Sequence, residues 1–301
     1  MSTTVASGIT IPQPDPQLPE SIMDMFSMKG KVVAVTGASG GIGYEVALGF
    51  AQAGADVAMW YNTNPAIEKE VEALSKMYGV KVRAYKCSLT DSEEVGNTIK
   101  RIERDFGKIN AMVANAGVAW ASGPLVDFAE KDSKACDAEW MRIMDVDVNS
   151  VYYVAKHVGS IFKRQGFGSL VITASMSGHI VNVPQLQVAY NAAKAALIHM
   201  ARSLAVEWAG FARVNTVSPG YVETPIAATR PLELKKKWMS LVPMGRLSSP
   251  KEMVGAYLYL ASDAATYGTH YRDSLFRVYF KTRAKQSTFC ISLLVKLYRD
   301  Q

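Results

Sequence analysis

Residues 31–43 read KVVAVTGASGGIG, and this stretch decides the fold. Val32, Val33, Ala34 and Val35 make an unbroken apolar, mostly β-branched run, the signature of a strand covered on both faces. At Thr36 the run turns into Gly37-Ala38-Ser39-Gly40-Gly41-Ile42-Gly43, and a helical pattern follows at once over 42–53. Glycines there let the backbone bend sharply, let a pyrophosphate approach the amides, and let the helix pack on the strand. The start of the helix offers the anion unpaired N–H groups and a positive dipole end. Gly37, Ser39, Gly41, Ile42 and Gly43 are therefore candidate cofactor-binding residues.

The same alternation continues outward. Short apolar runs at 56–61, 80–86, 109–115, 169–175 and 213–218 alternate with helical stretches at 66–78, 92–106, 138–164, 188–209 and 250–261. This predicts an α/β fold, a single doubly wound parallel sheet of Rossmann type whose last strand is undefined. With 301 residues, 49% apolar and 20% charged, the composition is globular and excludes wholesale disorder. Three segments are expected: an extended arm over 1–28 carrying Pro12, Pro14, Pro16 and Pro19, a catalytic domain over 29–267, and an atypical tail over 268–301.

The tail holds seven Lys/Arg against two Asp, hence +5 of the chain's +6. The body is near neutral, so no nucleic-acid partner is expected. Neither a secretory signal nor a membrane span is legible. Cys87, Cys136 and Cys290 are widely spaced, which predicts neither a disulfide framework nor a metal site and fits a cytoplasmic location.

A carboxylate ending the second strand would hold both ribose hydroxyls of NAD and repel a 2′-phosphate. That site reads Trp60-Tyr61-Asn62-Thr63-Asn64, which favours NADP(H), with Asn62 as a polar donor.

A tyrosine four residues before a lysine puts phenol and ammonium on one helix face, and the cation stabilises phenolate. Two such pairs occur, Tyr152/Lys156 and Tyr190/Lys194. Ligands of open α/β sheets bind at the carboxyl ends of strands. Tyr190 opens a helix after the strand that ends at Ser175, whereas Tyr152 lies inside a helical run and reads as packing. Ser175, Tyr190 and Lys194 are thus the candidate catalytic group.

Taken together, TGASGGIG, Asn115-Ala116-Gly117, Asn149, Ser175, YNAAK (190–194) and SPG (218–220) resemble the short-chain dehydrogenase/reductase family. WYNTNP, NAGVAW, SMSGHIVNVPQLQ and EWAGFARVNTVSPGY are similar to its yeast and fungal carbonyl reductases, the NADPH-dependent sorbose reductase and mannitol 2-dehydrogenase subgroup. The resemblance runs from about Phe26 to Tyr267. It implies that Tyr190 is the acid/base, Ser175 orients the carbonyl, Lys194 grips the nicotinamide ribose, and Asn149 holds a water in a proton relay. It also implies that Asn115, Ala116 and Gly117 back the adenosine ribose, while Pro219, Gly220, Val222 and Thr224 clamp the nicotinamide. Where relatives place an aspartate beside adenine, Cys87-Ser88-Leu89 stands here.

The implied activity is NADPH-dependent reduction of a ketone or ketose, a small-molecule substrate, by a homotetramer. The alternative is a non-catalytic NADP(H)-binding sensor or scaffold. Residues 225–246 resemble a substrate lid. Within it Lys235, Lys236 and Lys237 are either a solvated helix face or an anion site. His179 is either an ordinary loop residue or a contact to a polyol hydroxyl, and Trp120 either lines the pocket or belongs to the core. Beyond Tyr267 the resemblance stops, which leaves a substitute last strand in VYF or FCISLLV, or a shifted reading frame, as the expectations.

Overall fold

The apolar runs become six strands, β1 (Val32–Val35), β2 (Asp56–Tyr61), β3 (Val82–Lys86), β4 (Ala111–Ala114), β5 (Ser169–Thr173) and β6 (Arg213–Val217). In the computed structural model, which describes residues 16–269, they form one sheet in the order β3-β2-β1-β4-β5-β6 with every neighbouring pair parallel. The order reverses between β1 and β4, so the chain leaves their carboxyl ends in opposite directions and opens a crevice there.

The helices are α1 (Gly41–Gln52), α2 (Ile67–Tyr78), α3 (Ser92–Phe106), α4 (Leu125–Lys131), α5 (Ser133–Ile143), α6 (Ser150–Gln165), α7 (Val188–Glu207), α8 (Pro225–Ala228), α9 (Leu232–Leu241) and α10 (Val254–Ala261). Both sheet faces are covered, which is why the central strands carry no polar alternation. Val33 and Val35 pack with Val46, Phe50, Tyr257 and Leu260 of α1 and α10. On the other face Ala34 and Met112 meet Val95, Ile99, Val158, Phe162 and Leu197 of α3, α6 and α7.

The expected helix over 138–164 is corrected. The chain enters earlier, where Asp132 caps α5 by accepting from the Ala135 N–H at 2.9 Å, and it is interrupted by a π-helical turn, Met144–Asn149, before α6. The helix α4 was not expected from sequence; it starts behind Pro124 and is only partly covered. Tyr152, expected to be packing, is instead half exposed on α6, and Lys156 donates to the Ser92 hydroxyl at 2.7 Å.

Of the arm, residues 16–28 are described. Met28 is buried with its N–H on Ala53 O at 2.9 Å, and Phe26 faces the Tyr259 ring at 6.4 Å. At the other end Asn215 Nδ2 donates to Gly268 O at 2.7 Å, so the chain still runs along β6 there. The rest of the arm, Cys290 and the candidate strands VYF and FCISLLV lie outside the described residues. Among the described residues no helix is long and apolar enough to cross a membrane.

Candidate active site

A cleft of about 520 Å³ lies at the carboxyl ends of the strands. Its cofactor side starts at the turn after β1. Gly37 has φ +64°, and a Cβ there would stand 3.0 Å from Ala116 Cα, so only glycine lets the two strand-end loops meet. The Thr36 hydroxyl joins them by accepting from the N–H groups of Asn115 at 2.9 Å and Ala116 at 3.1 Å. Gly37, Ser39, Gly41 and Ile42 line the cleft together with Asn115, Ala116 and Gly117. The opposite rim carries Pro219, Gly220, Val222 and Thr224; the Thr224 hydroxyl caps α8, and Pro219 O receives the Met176 N–H at 3.0 Å.

Two expected cofactor residues sit elsewhere. Gly43 does not line the cleft; it is the packing glycine of the turn, where a Cβ would be 2.3 Å from Gly37 O and 2.4 Å from Asn115 Nδ2. Gly43→Ala is therefore expected to cost about 1–3 kcal/mol through overpacking, read as a lower urea midpoint together with weaker NADPH binding. An unchanged midpoint would refute this role. Asn62 faces a separate shallow depression with Tyr61, Thr63, Pro65 and Lys86, while Asn64 lines the main cleft. Lys86 was not singled out from sequence because it lies 24 residues after Asn62; the parallel register sets it beside Tyr61. Glu68 near this edge is already taken up by the Tyr61 hydroxyl, which donates to it.

The catalytic candidates gather on the other side. Ser175 follows β5 and caps the 3-10 turn Met176–Gly178, its Oγ accepting from the Ser177 N–H at 3.2 Å. That contact uses only an acceptor lone pair, so the Ser175 hydrogen remains available to a ligand. Tyr190 lies in the first turn of α7, half-buried against Trp120, Cys136, Ile143, Ala189 and Ala193. Lys194, one helical turn on, is buried with its Nζ 5.4 Å from the Tyr190 ring centre. Ser175, Tyr190 and Lys194 all line the cleft.

Lys194 Nζ donates to Thr173 O at 3.2 Å and sits 3.0 Å from Asp147 Oδ2, an ion pair between two buried groups. Burial pulls the ammonium's pKa down, but the Asp147 carboxylate, with a smaller contribution from Tyr190, outweighs it and holds the pKa above its usual value. Asp147 is fully buried, and its Oδ1 accepts from the Val118 N–H at 2.8 Å. Gly117 leaves room for the pair, since a Cβ there would be 3.2 Å from both Asp147 Oδ2 and Lys194 Nζ.

Asn149, implied to hold a water in a proton relay, is not among the residues that line the cleft; its Nδ2 donates to Asp145 Oδ1 at 2.7 Å. Asp147, which does meet the ammonium, lies in the π-helical turn two residues before Asn149. No spacing rule in the sequence marks a π turn, and nothing there sets Asp147 apart from Asp145.

Trp120 is core, with its Nε1 donating to Gly123 O at 2.7 Å. His179 does not line the cleft, and its Nε2 is 3.1 Å from Ser218 Oγ. Lys236 pairs with Glu233 at 2.8 Å on the exposed face of α9, and Lys235 donates to Ala228 O at 3.1 Å. Trp238 of the same helix is buried and stacks on Tyr221 at 4.4 Å, forming the apolar wall of the cleft. Cys87 is buried, and burial pushes its thiol up to about 11, which leaves it inert as a nucleophile.

A protein-family model described as enoyl-(acyl carrier protein) reductase matches residues 37–270. A probable NADP-dependent mannitol dehydrogenase of Yarrowia lipolytica is 56% identical over 267 residues, covering 88% of this chain and 94% of its own. The sorbose reductase of Candida albicans is 57% identical over 260 residues, covering 86% and 90%. Among solved structures, the NADPH-dependent 3-quinuclidinone reductase of Rhodotorula rubra superposes with a TM-score of 0.80 at 43% identity, over 86% of this chain and 94% of that one.

Proposed function

The chain belongs to the short-chain dehydrogenase/reductase family, and from that membership we propose that it is an NADP(H)-dependent reductase that converts ketones or ketoses to alcohols or polyols. The observation that carries this reading is the convergence of Ser175, Tyr190 and Lys194 on one cleft with the glycine turn after β1.

The residues present fit the cofactor. The turn has the positive φ at Gly37 and Gly41 that close approach of a pyrophosphate requires, and the start of α1 points its free N–H groups there. Gly37, Ser39, Gly41 and Ile42 would hold the phosphates, Asn115, Ala116 and Gly117 the adenosine ribose, and Pro219, Gly220, Val222 and Thr224 the nicotinamide. When bound, NADPH supplies the hydride that reduces the carbonyl carbon. The Tyr190 hydroxyl donates its proton to the carbonyl oxygen, and the Ser175 hydroxyl donates a hydrogen bond to the same oxygen. Of the three Lys194 donors, one is on Thr173 O and one faces Asp147, which leaves one for the cleft. Asp147 acts on Lys194 and is a positioning residue.

Preference for NADPH over NADH is supported by the depression of Tyr61, Asn62, Thr63, Pro65 and Lys86, which no carboxylate lines. Lys86→Ala is expected to raise the KM for NADPH about tenfold and to change that for NADH less than about twofold, since one charged hydrogen bond to the 2′-phosphate is lost. Equal effects on both would refute the role of Lys86. Equal efficiency of the unmodified protein with both cofactors would refute the preference. A cytoplasmic homotetramer completes the reading; family resemblance supports it, and sedimentation at working concentration tests the assembly.

A further inference from the structure

We propose that Ser177 and Asn182 form a subsite that binds a substrate hydroxyl and so selects hydroxylated ketones, ketoses among them, at the reductase site; the assignment rests on the ketone-reductase reading above. Ser177 lies two residues after Ser175, in the same 3-10 turn, buried on the cleft wall. Its Oγ accepts twice, from Asn182 Nδ2 at 2.7 Å and from Gln187 Nε2 at 3.2 Å. A hydroxyl has two acceptor lone pairs and one hydrogen. With both lone pairs used, the hydrogen is what Ser177 has left to offer, and among the described residues it meets no acceptor.

Asn182, also buried and on the cleft wall, carries the complementary feature, for its Oδ1 has no partner. Turning the amide over would give Ser177 an acceptor but strand the NH₂ group instead, so either orientation leaves a buried polar atom unmet. Such an atom is costly until something pairs with it. Gln187, which lines the cleft as well, braces the turn and shares its Nε2 with Asn191 Oδ1 at 3.3 Å.

One spare donor beside one unmet acceptor matches an alcohol, which accepts from Ser177 Oγ–H and donates to Asn182 Oδ1. A methylene satisfies neither group, and a carboxylate would satisfy Ser177 while facing the Asn182 oxygen with like partial charge. Because Ser177 sits next to the serine that serves the carbonyl oxygen, the hydroxyl it reads is one close to the reacting carbon.

The test compares kcat/KM with NADPH for erythrulose, a ketose too short to close into a ring, and for butan-2-one, the same carbon chain without hydroxyls. It uses the unmodified protein, Ser177→Ala and Asn182→Leu. The efficiency ratio of erythrulose to butan-2-one is expected to fall about tenfold or more in each variant. Parallel losses on both ketones, or no change in the ratio, overturn the subsite, as does an unmodified protein that reduces butan-2-one as efficiently as erythrulose. If the unmodified protein reduces neither, the reductase reading falls and takes the subsite with it. Retention of NADPH binding by fluorescence shows that each variant is folded, and where one is not, the other decides.

Discussion

Tyr190→Phe is expected to lower kcat by about 10²–10⁴-fold while NADPH binding stays within about twofold of normal. Phenylalanine keeps the ring that packs against Trp120, Ile143 and Ala193, so the fold loses little. What disappears is the Tyr190 O–H, which on the proposed reading hands a proton to the carbonyl oxygen from beside Lys194, while Ser175 would remain as a hydrogen-bond donor. Steady-state reduction of a ketose, paired with fluorescence titration of NADPH, separates the two effects. A variant that turns over at the unmodified rate would remove Tyr190 from the chemistry, and loss of NADPH binding along with rate would make its role structural.

Asp147→Ala is expected to destabilise the protein by about 3–5 kcal/mol, the largest stability effect foreseen for a single substitution here. Alanine leaves the Lys194 ammonium, almost wholly buried, without its counter-charge and strips the Val118 N–H of its acceptor. Asp147→Asn should recover little of that stability, because an amide oxygen kept on the Val118 N–H turns its NH₂ group toward the Lys194 ammonium, which still lacks its counter-charge. Urea unfolding of the two variants measures the difference. A cost below about 1 kcal/mol for Asp147→Ala would mean that the pair is solvated, contrary to its burial. The activity of Asp147→Asn reports separately on positioning: a fall in kcat measured on protein that remains folded shows that the carboxylate places Lys194 as well as neutralising it.

Much of the fold was legible in the sequence because its signals are local. The six strands fall inside the apolar runs, and the helices expected over 66–78 and 92–106 agree with α2 and α3 to within a residue. Asp91 illustrates why: a single aspartate accepts from the N–H groups of Glu93 and Glu94, a cap that is written within four consecutive positions. The pair Tyr190 and Lys194 is local in the same sense, one turn apart on α7. What the sequence did not disclose is set by distant segments. Asp147 meets Lys194 from a π turn that no motif marks, and the strand register brings Lys86 beside Tyr61 and Asn62.

By itself the sequence determined the parallel sheet, the glycine turn after the first strand and the tyrosine that follows the fifth, since periodicity, turn chemistry and helical spacing act over a few residues. The tertiary structure alone decided which carboxylate meets the buried ammonium and which hydroxyl is left with a hydrogen to offer. Those outcomes depend on contacts that no helical or turn spacing specifies, Asp147 against Lys194 and Ser177 between Asn182 and Gln187, whose unmet charges and polar atoms acquire their energetic weight only when packing removes the water around them.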